Sequence, residues 1–122
     1  MRIEKIILIP VKVYITIDTE EDLWDQWKLR DNPVGNIGYL PLLQELFNEF
    51  RAIPTYLVNY PVIANKKSCG IIRKLSEKES CEIGLHIHPW NTPPFEENIV
   101  GKNSMIFNLP QELAYQKIEY LS

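Results

Sequence analysis

Ser80-Cys81-Glu82-Ile83-Gly84-Leu85-His86-Ile87-His88-Pro89-Trp90 decides how this chain is read. The run from Glu82 predicts a β-strand that reaches His88 and carries both of the chain's two histidines at its end. Residues i and i+2 of a strand point to one face. Both imidazoles then project towards one point in space, which is how a rigid scaffold offers two nitrogen ligands to a metal ion. The competing reading is two hydrogen-bonded histidines at a strand end.

Outward from this stretch, the next informative segment is acidic. Val13-Tyr14-Ile15-Thr16-Ile17-Asp18 is a β-branched, apolar run that predicts a first strand. It leads into Asp18-Thr19-Glu20-Glu21-Asp22, where four carboxylates occupy five positions. Crowded like charges repel unless water or a cation screens them. Asp18 and Glu20 form a second i, i+2 pair if the strand persists that far. Glu21 and Asp22 read as loop residues, and a solvated acidic loop is the alternative for the whole segment.

Between these strands, Pro54-Thr55-Tyr56-Leu57-Val58-Asn59 predicts another strand, closed by Tyr60-Pro61. A helix starting near Pro41 carries Leu42, Leu43, Leu46, Phe47 and Phe50 at helical spacing. Ser68 is a candidate cap for a second helix with Ile71, Ile72 and Leu75. Pro110 opens a last helix with Leu113, Ala114, Ile118 and Leu121. Long polar loops fill Thr19 to about Gly38 and Asn91 to about Asn108. The order β-loop-α-β-α-β-loop-α predicts an α/β domain with parallel strands and right-handed crossovers. Sites in such folds lie at the carboxyl ends of the strands. Asp18, Asn59 and His88 each end a strand, so carboxylates and histidines are expected at one sheet edge.

With 122 residues the chain is one small domain at most, 1–122. A net charge of -3 gives no reason to expect a nucleic-acid partner. The apolar run Ile6 to Val11 is too short for a membrane span and lacks a signal cleavage site. Cys69 and Cys81 lack CxxC spacing and read as reduced packing residues of a cytoplasmic protein.

Together these residues resemble the polysaccharide deacetylases of the NodB homology type, carbohydrate esterase family 4. Thr16-Ile17-Asp18 resembles the start of the family's T-F-D-D-G motif. Glu82-Ile83-Gly84-Leu85-His86 and His88-Pro89 resemble its E-I-G-x-H-[ST]-x-x-H-P motif, shortened here to H-x-H. Pro54-Thr55-Tyr56-Leu57-Val58 stands where the family has its second strand. The resemblance implies a distorted (β/α) barrel of the glycoside hydrolase/deacetylase type, of which this chain covers the front half, hence a partial or truncated barrel. It implies a metal held by Glu20, His86 and His88, with Asp18 as catalytic base. Thr19 occupies the family's usual ligand position, so Asp18 stays open as the carboxylate ligand in place of Glu20. Two imidazoles and a carboxylate suit Zn2+, and also Co2+, Ni2+ or Fe2+.

The implied activity is hydrolysis of acetamido groups on N-acetylated sugars. The alternative is a non-catalytic remnant, or a metal- or sugar-binding module, because no general acid is legible. Trp24 and Trp90, with Trp27 and Phe95, read either as a sugar-stacking platform or as loop packing. Asn59 and Tyr60 are candidate substrate contacts, although strand-end turn chemistry also accounts for them. Asn91 and Asn103 receive no role. A half barrel is expected to leave the faces Leu42/Leu46/Phe50, Ile71/Leu75 and Leu113/Ile118/Leu121 uncovered, so self-association or pairing with a missing C-terminal half is expected.

Overall fold

The computed structural model describes residues 11–122. Most of the apolar run Ile6–Val11, on which the membrane and signal readings rest, lies outside the described residues. Three parallel strands, β1 (Thr16–Thr19), β2 (Thr55–Val58) and β3 (Glu82–Leu85), form one open sheet in the order β1-β2-β3. Four helices accompany it: α1 (Leu40–Glu49), α2 (Tyr60–Ala64), α3 (Lys66–Ser76) and α4 (Gln111–Leu121). The expected α/β class with parallel strands is thus present. Among the described residues the sheet does not close, and β1 and β3 are both edges.

The strands are shorter than the sequence pattern predicts, for a reason that lies in β2. Pro54 has no N–H to extend the ladder backwards, so pairing starts at Thr55, whose N–H donates to Ile15 O at 2.8 Å. Val13 and Tyr14 consequently stay exposed and outside β1. At the other end β2 turns into α2 through Asn59 and Pro61. His86 N still donates to Val58 O at 2.9 Å, but no partner strand continues beyond it. His88 therefore sits past the end of β3, where a 3-10 turn over Pro89–Asn91 begins.

The register places Ile17, Tyr56 and Ile83 on one face and Asp18, Leu57 and Gly84 on the other. Tyr56 and Val58 are buried against Val62, Ile72, Leu75 and Cys81, together with Val34, Ile37 and Leu40. A buried polar chain crosses this core. The Tyr56 hydroxyl donates to Gln44 Oε1 at 2.9 Å, and Gln44 Nε2 donates to Ser80 O at 3.0 Å. That ties α1 to β2 and to the lead-in of β3. On the opposite face, a Cβ on Gly84 would come within 2.7 Å of Leu57 Cδ2, which explains the small residue beside Leu57.

Three helix readings change. Asn65, not Ser68, caps α3: its side chain accepts from Lys67 N at 3.0 Å and Ser68 N at 3.1 Å. An asparagine in extended backbone one residue before the helix satisfies its first free amides a turn earlier than Ser68 can. In α1 the buried positions are Leu40 and Gln44, with Leu43 and Phe47 partly covered, whereas Leu42, Leu46 and Phe50 face outward. The faces of α3 and α4 expected to be bare are largely covered, since Leu75, Leu113 and Leu121 are buried. Cys69 and Cys81 are both free thiols, as expected.

Candidate metal centre

Backbone pairing at the carboxyl edge sets the site. The Asn59 N–H donates to Thr19 O at 3.2 Å, which fixes the exit of β1 against β2. Glu20 follows immediately. Its carbonyl accepts from Asn36 Nδ2 at 2.9 Å, and the Asp22 carboxylate accepts from Gly35 N and Asn36 N at 3.0 and 2.9 Å. The β1–α1 loop is thereby folded back on itself, and the role of Asp22 is to hold that fold. His86 is anchored by its ladder bond to β2. His88 O accepts from Asn91 N and Thr92 N at 3.2 and 3.1 Å, which defines the turn after the histidine.

The result is a convergence of three donor atoms. Glu20 Oε2 lies 3.2 Å from His86 Nε2 and 3.2 Å from His88 Nε2, and the two Nε2 atoms are 2.9 Å apart. Atoms bound to a tetrahedral ion at 2.0–2.1 Å stand about 3.3 Å from one another, so these three edges are close to those of one ligand face. In a tetrahedral ion so held, the fourth ligand position is not filled by these three residues. All three residues are partly buried, and together they form the group able to hold a metal ion.

Behind each imidazole stands a carboxylate. His86 Nδ1 is 3.8 Å from Asp18 Oδ1, and His88 Nδ1 is 3.9 Å from Glu21 Oε1. These spacings are longer than hydrogen bonds. They put a carboxylate on the Nδ1 side of each ring, while both Nε2 atoms face the convergence point. Trp90 stacks on His88 with centroids 4.2 Å apart, and Trp27 stacks on Trp90 at 5.7 Å. The His88 plane is therefore gripped from one side by an aromatic pair.

Glu21 is the residue the sequence reading missed. It is 1% exposed and accepts hydrogen bonds from Asn59 Nδ2 and, at 2.7 Å, from Asn91 Nδ2. Burial pushes its carboxyl up. The pull of His88, its own backbone N–H and the Asn59 amide outweigh that and hold it below the ordinary carboxylate range. Glu21 is thus a buried anion braced by two asparagines, Asn59 at the end of β2 and Asn91 in the 3-10 turn after His88. Asn91, given no role from sequence, is one of them. The signal available was the run of adjacent carboxylates, but nothing in a single sequence separates the inward one from the solvated ones.

A second brace comes from α4. Lys117 is 0% exposed, and its Nζ donates to Pro89 O at 2.9 Å, Thr92 O at 2.6 Å and Pro94 O at 2.6 Å, with Glu97 Oε1 at 3.0 Å. One ammonium thus ties together the loop that follows His88. Its signal was its place in the stripe Leu113–Lys117–Leu121, where the i, i+4, i+8 spacing puts a lysine between two buried leucines.

Of the predicted site residues, Glu20, His86 and His88 come together. Asp18 is not in the convergence; it is 60% exposed by side chain and adjoins the outer nitrogen of His86. Glu20 is therefore the carboxylate among the three donors. Asn59 is fully buried on Glu21, and Trp90 is buried behind His88. Trp24 is exposed on a 3-10 turn in the β1–α1 loop. Tyr60 begins α2 and stacks edge-on to Tyr120 at 5.6 Å.

Fold and site together define an α/β domain whose strand ends carry a two-histidine, one-carboxylate cluster with the chemistry of a divalent-metal centre. No protein-family model, no curated protein and no solved structure matches this chain. Among the described residues no helix is long and apolar enough to cross a membrane.

Proposed function

We propose that this chain is a metal-dependent hydrolase that removes acetyl groups from N-acetylated sugars, built on the front part of a distorted (β/α) barrel of the polysaccharide deacetylase type. The observation that carries this reading is the convergence of Glu20, His86 and His88 at the carboxyl edge of a parallel sheet, with one further exposed carboxylate, Asp18, beside it. A two-histidine, one-carboxylate set that leaves the fourth ligand position unfilled is a donor set of catalytic zinc sites, and zinc is the metal proposed.

When bound, the ion supplies Lewis acidity towards a carbonyl oxygen and lowers the pKa of water. The rest is work for the chain's own residues. Glu21 and the Trp27–Trp90 pair hold the His88 ring in register, and the β2 ladder bond holds His86. Asp18 is the candidate general base that takes the proton from the attacking water. Its 3.8 Å approach to His86 Nδ1 supports a second role, orienting that ring.

The test is acetate release from N-acetylated oligosaccharides by the zinc-loaded protein, against the EDTA-stripped protein. Asp18→Asn is expected to keep the metal and to lower the rate by about 10²–10⁴ if Asp18 is the base. If it merely orients His86, metal affinity falls with the rate. The alternative reading, a metal- or sugar-binding module without catalysis, is supported by one observation: no described residue stands out as a general acid beside the cluster. Stoichiometric zinc and glycan binding without acetate release would favour it.

A further inference from the structure

The loop that follows His88 has few means of holding itself. Pro89, Pro93 and Pro94 have no N–H to donate. Carbonyls in this segment therefore need a donor from elsewhere. Those of Pro89, Thr92 and Pro94 meet at one point, and the Lys117 ammonium from α4 occupies it at 2.9, 2.6 and 2.6 Å. An ammonium carries three N–H donors and no acceptor, so donors and carbonyls match one to one. Glu97 Oε1 supplies the countercharge at 3.0 Å, and neither Glu97 oxygen accepts a hydrogen bond from any other group. The Phe95 ring covers the same ammonium at 5.7 Å.

This cage reaches the cluster through the turn after His88. Thr92, whose carbonyl accepts from Lys117, donates its N–H to His88 O at 3.1 Å, and Pro89 follows His88 directly. Between them, Asn91 donates its N–H to the same His88 O at 3.2 Å. Its Nδ2 donates to Glu21 Oε1 at 2.7 Å, the oxygen that stands 3.9 Å from His88 Nδ1. His86 has no such dependence, because its N–H is paired with Val58 O at 2.9 Å. One histidine is thus held by the sheet and the other by α4. Stability alone gives no reason for a lysine at this place, since a buried ion pair can often be exchanged for apolar residues of similar volume without loss. What an apolar side chain cannot supply is direction: N–H groups that fix the carbonyls of the turn.

We infer that Lys117 is a positioning residue of the metal centre: its ammonium is the internal cation of the loop after His88, so that His88 reaches the convergence point only when α4 is docked. Metal loading and docking of α4 are then coupled, and each favours the other by the same factor. This rests on the metal centre of the proposed function and is independent of the substrate.

The test is zinc affinity by competition with a chromophoric chelator. Lys117→Ala is expected to bind zinc about 10–100-fold more weakly, the effect of losing a group that orients a ligand. n-Propylammonium, which matches the lost side chain from Cγ to Nζ, is expected to restore the affinity. Tetramethylammonium, with the same charge and no N–H, is not. A second variant separates positioning from stability. Lys117→Met with Glu97→Leu removes both charges at similar volume, and is expected to regain much of the urea resistance that Lys117→Met alone loses. Its zinc affinity is nevertheless expected to stay down, and its His88 imidazole 15N resonances to move further than those of His86. Affinity within about threefold of the parent, in a folded Lys117→Ala or in the double variant, would overturn the inference. Equal rescue by tetramethylammonium would overturn it too. Failure of the function reading looks different: zinc bound and the Lys117 dependence intact, with no acetate released.

Discussion

The carboxyl edge of the sheet and the outer side of α1 invert each other. At the edge, polar groups lie inside: Glu21, Asn59, Asn91, Thr92 and Lys117 are essentially without solvent contact. Along α1, apolar groups lie outside, with Leu46 half exposed and Leu42 and Phe50 more so. Burying polar groups is unfavourable unless each finds a partner, and here most do. Such an arrangement is retained where geometry, and not only stability, must be fixed. An exposed apolar stripe has no such internal reason, and it marks a surface suited to cover by other protein. The contrast divides this molecule into a part whose interior is polar and hydrogen-bonded and a part whose surface is apolar and uncovered.

Breaking the polar interior should have the largest effect. Lys117→Met removes the ammonium that joins Pro89, Thr92, Pro94 and Glu97 and leaves those oxygens buried without a donor. A loss of about 3–5 kcal/mol in urea unfolding is expected, in line with breaking a buried charged pair from one side. A loss under about 1 kcal/mol would mean that the loop after His88 is held by other contacts.

Next comes the buried phenol of the core. Burial, followed by the influence of Cys81, pushes Tyr56 up to about 12. Unfolded tyrosine ionises near 10. With the folded value above the unfolded one, the stability this group carries is full below about pH 10. It is lost as pH rises towards 12, by about 2–3 kcal/mol. Tyr56→Phe should start lower, by about 1 kcal/mol for the lost bond to Gln44, and should lack that alkaline decline in a pH series of unfolding curves.

Glu21→Gln sharpens the comparison, because it keeps the size of the buried side chain while removing the charge behind His88 and one of the two oxygens that accept from the asparagine amides. Zinc affinity is expected to fall about 10–100-fold in competition with a chromophoric chelator, with the near-UV spectrum unchanged. Unaltered affinity would reduce Glu21 to a packing group.

The smallest effect on stability belongs to the other region. Leu42→Glu with Leu46→Lys should change unfolding free energy by no more than about 0.5 kcal/mol per site. Sedimentation velocity is expected to show self-association of the parent chain that these substitutions relieve. A parent chain monomeric at all concentrations would deny the outer side of α1 any role in association.

The same inversion explains what was legible in the sequence. The three strands and their parallel order follow from apolar patterning and from alternating strands and helices. That order brings the chain exits carrying the carboxylates and the histidines to one edge. The expected strand reaching His88 ends at Leu85, and the choice of Glu20 over Asp18 was not legible from spacing. Those rules concern apolar pattern and chain direction, and one sequence carries both. The α1 stripe misled because that helix has apolar residues on two sides. Packing chose the side with Leu40 and Gln44, since Gln44 bonds to Tyr56 and Ser80 across the core. Asn65 took the cap because it precedes Ser68 at the chain's turn out of α2. Glu21, Asn91 and Lys117 were illegible as a network because each finds its partners 20 or more residues away, through folds of loop that no local pattern encodes. Tyr120 belongs with them, since it meets Tyr60 only once α4 has packed.

The central claim is that the strand ends form one metal centre. Its most direct test is metal content of the purified protein after dialysis against zinc and then buffer, measured by plasma emission alongside the variants Glu20→Gln, His86→Ala and His88→Ala. The account predicts one zinc per parent chain and a content near zero in His86→Ala and His88→Ala, with Glu20→Gln strongly reduced and folding retained in all three by circular dichroism. Unchanged zinc in both histidine variants, or no zinc in a folded parent chain, would contradict it.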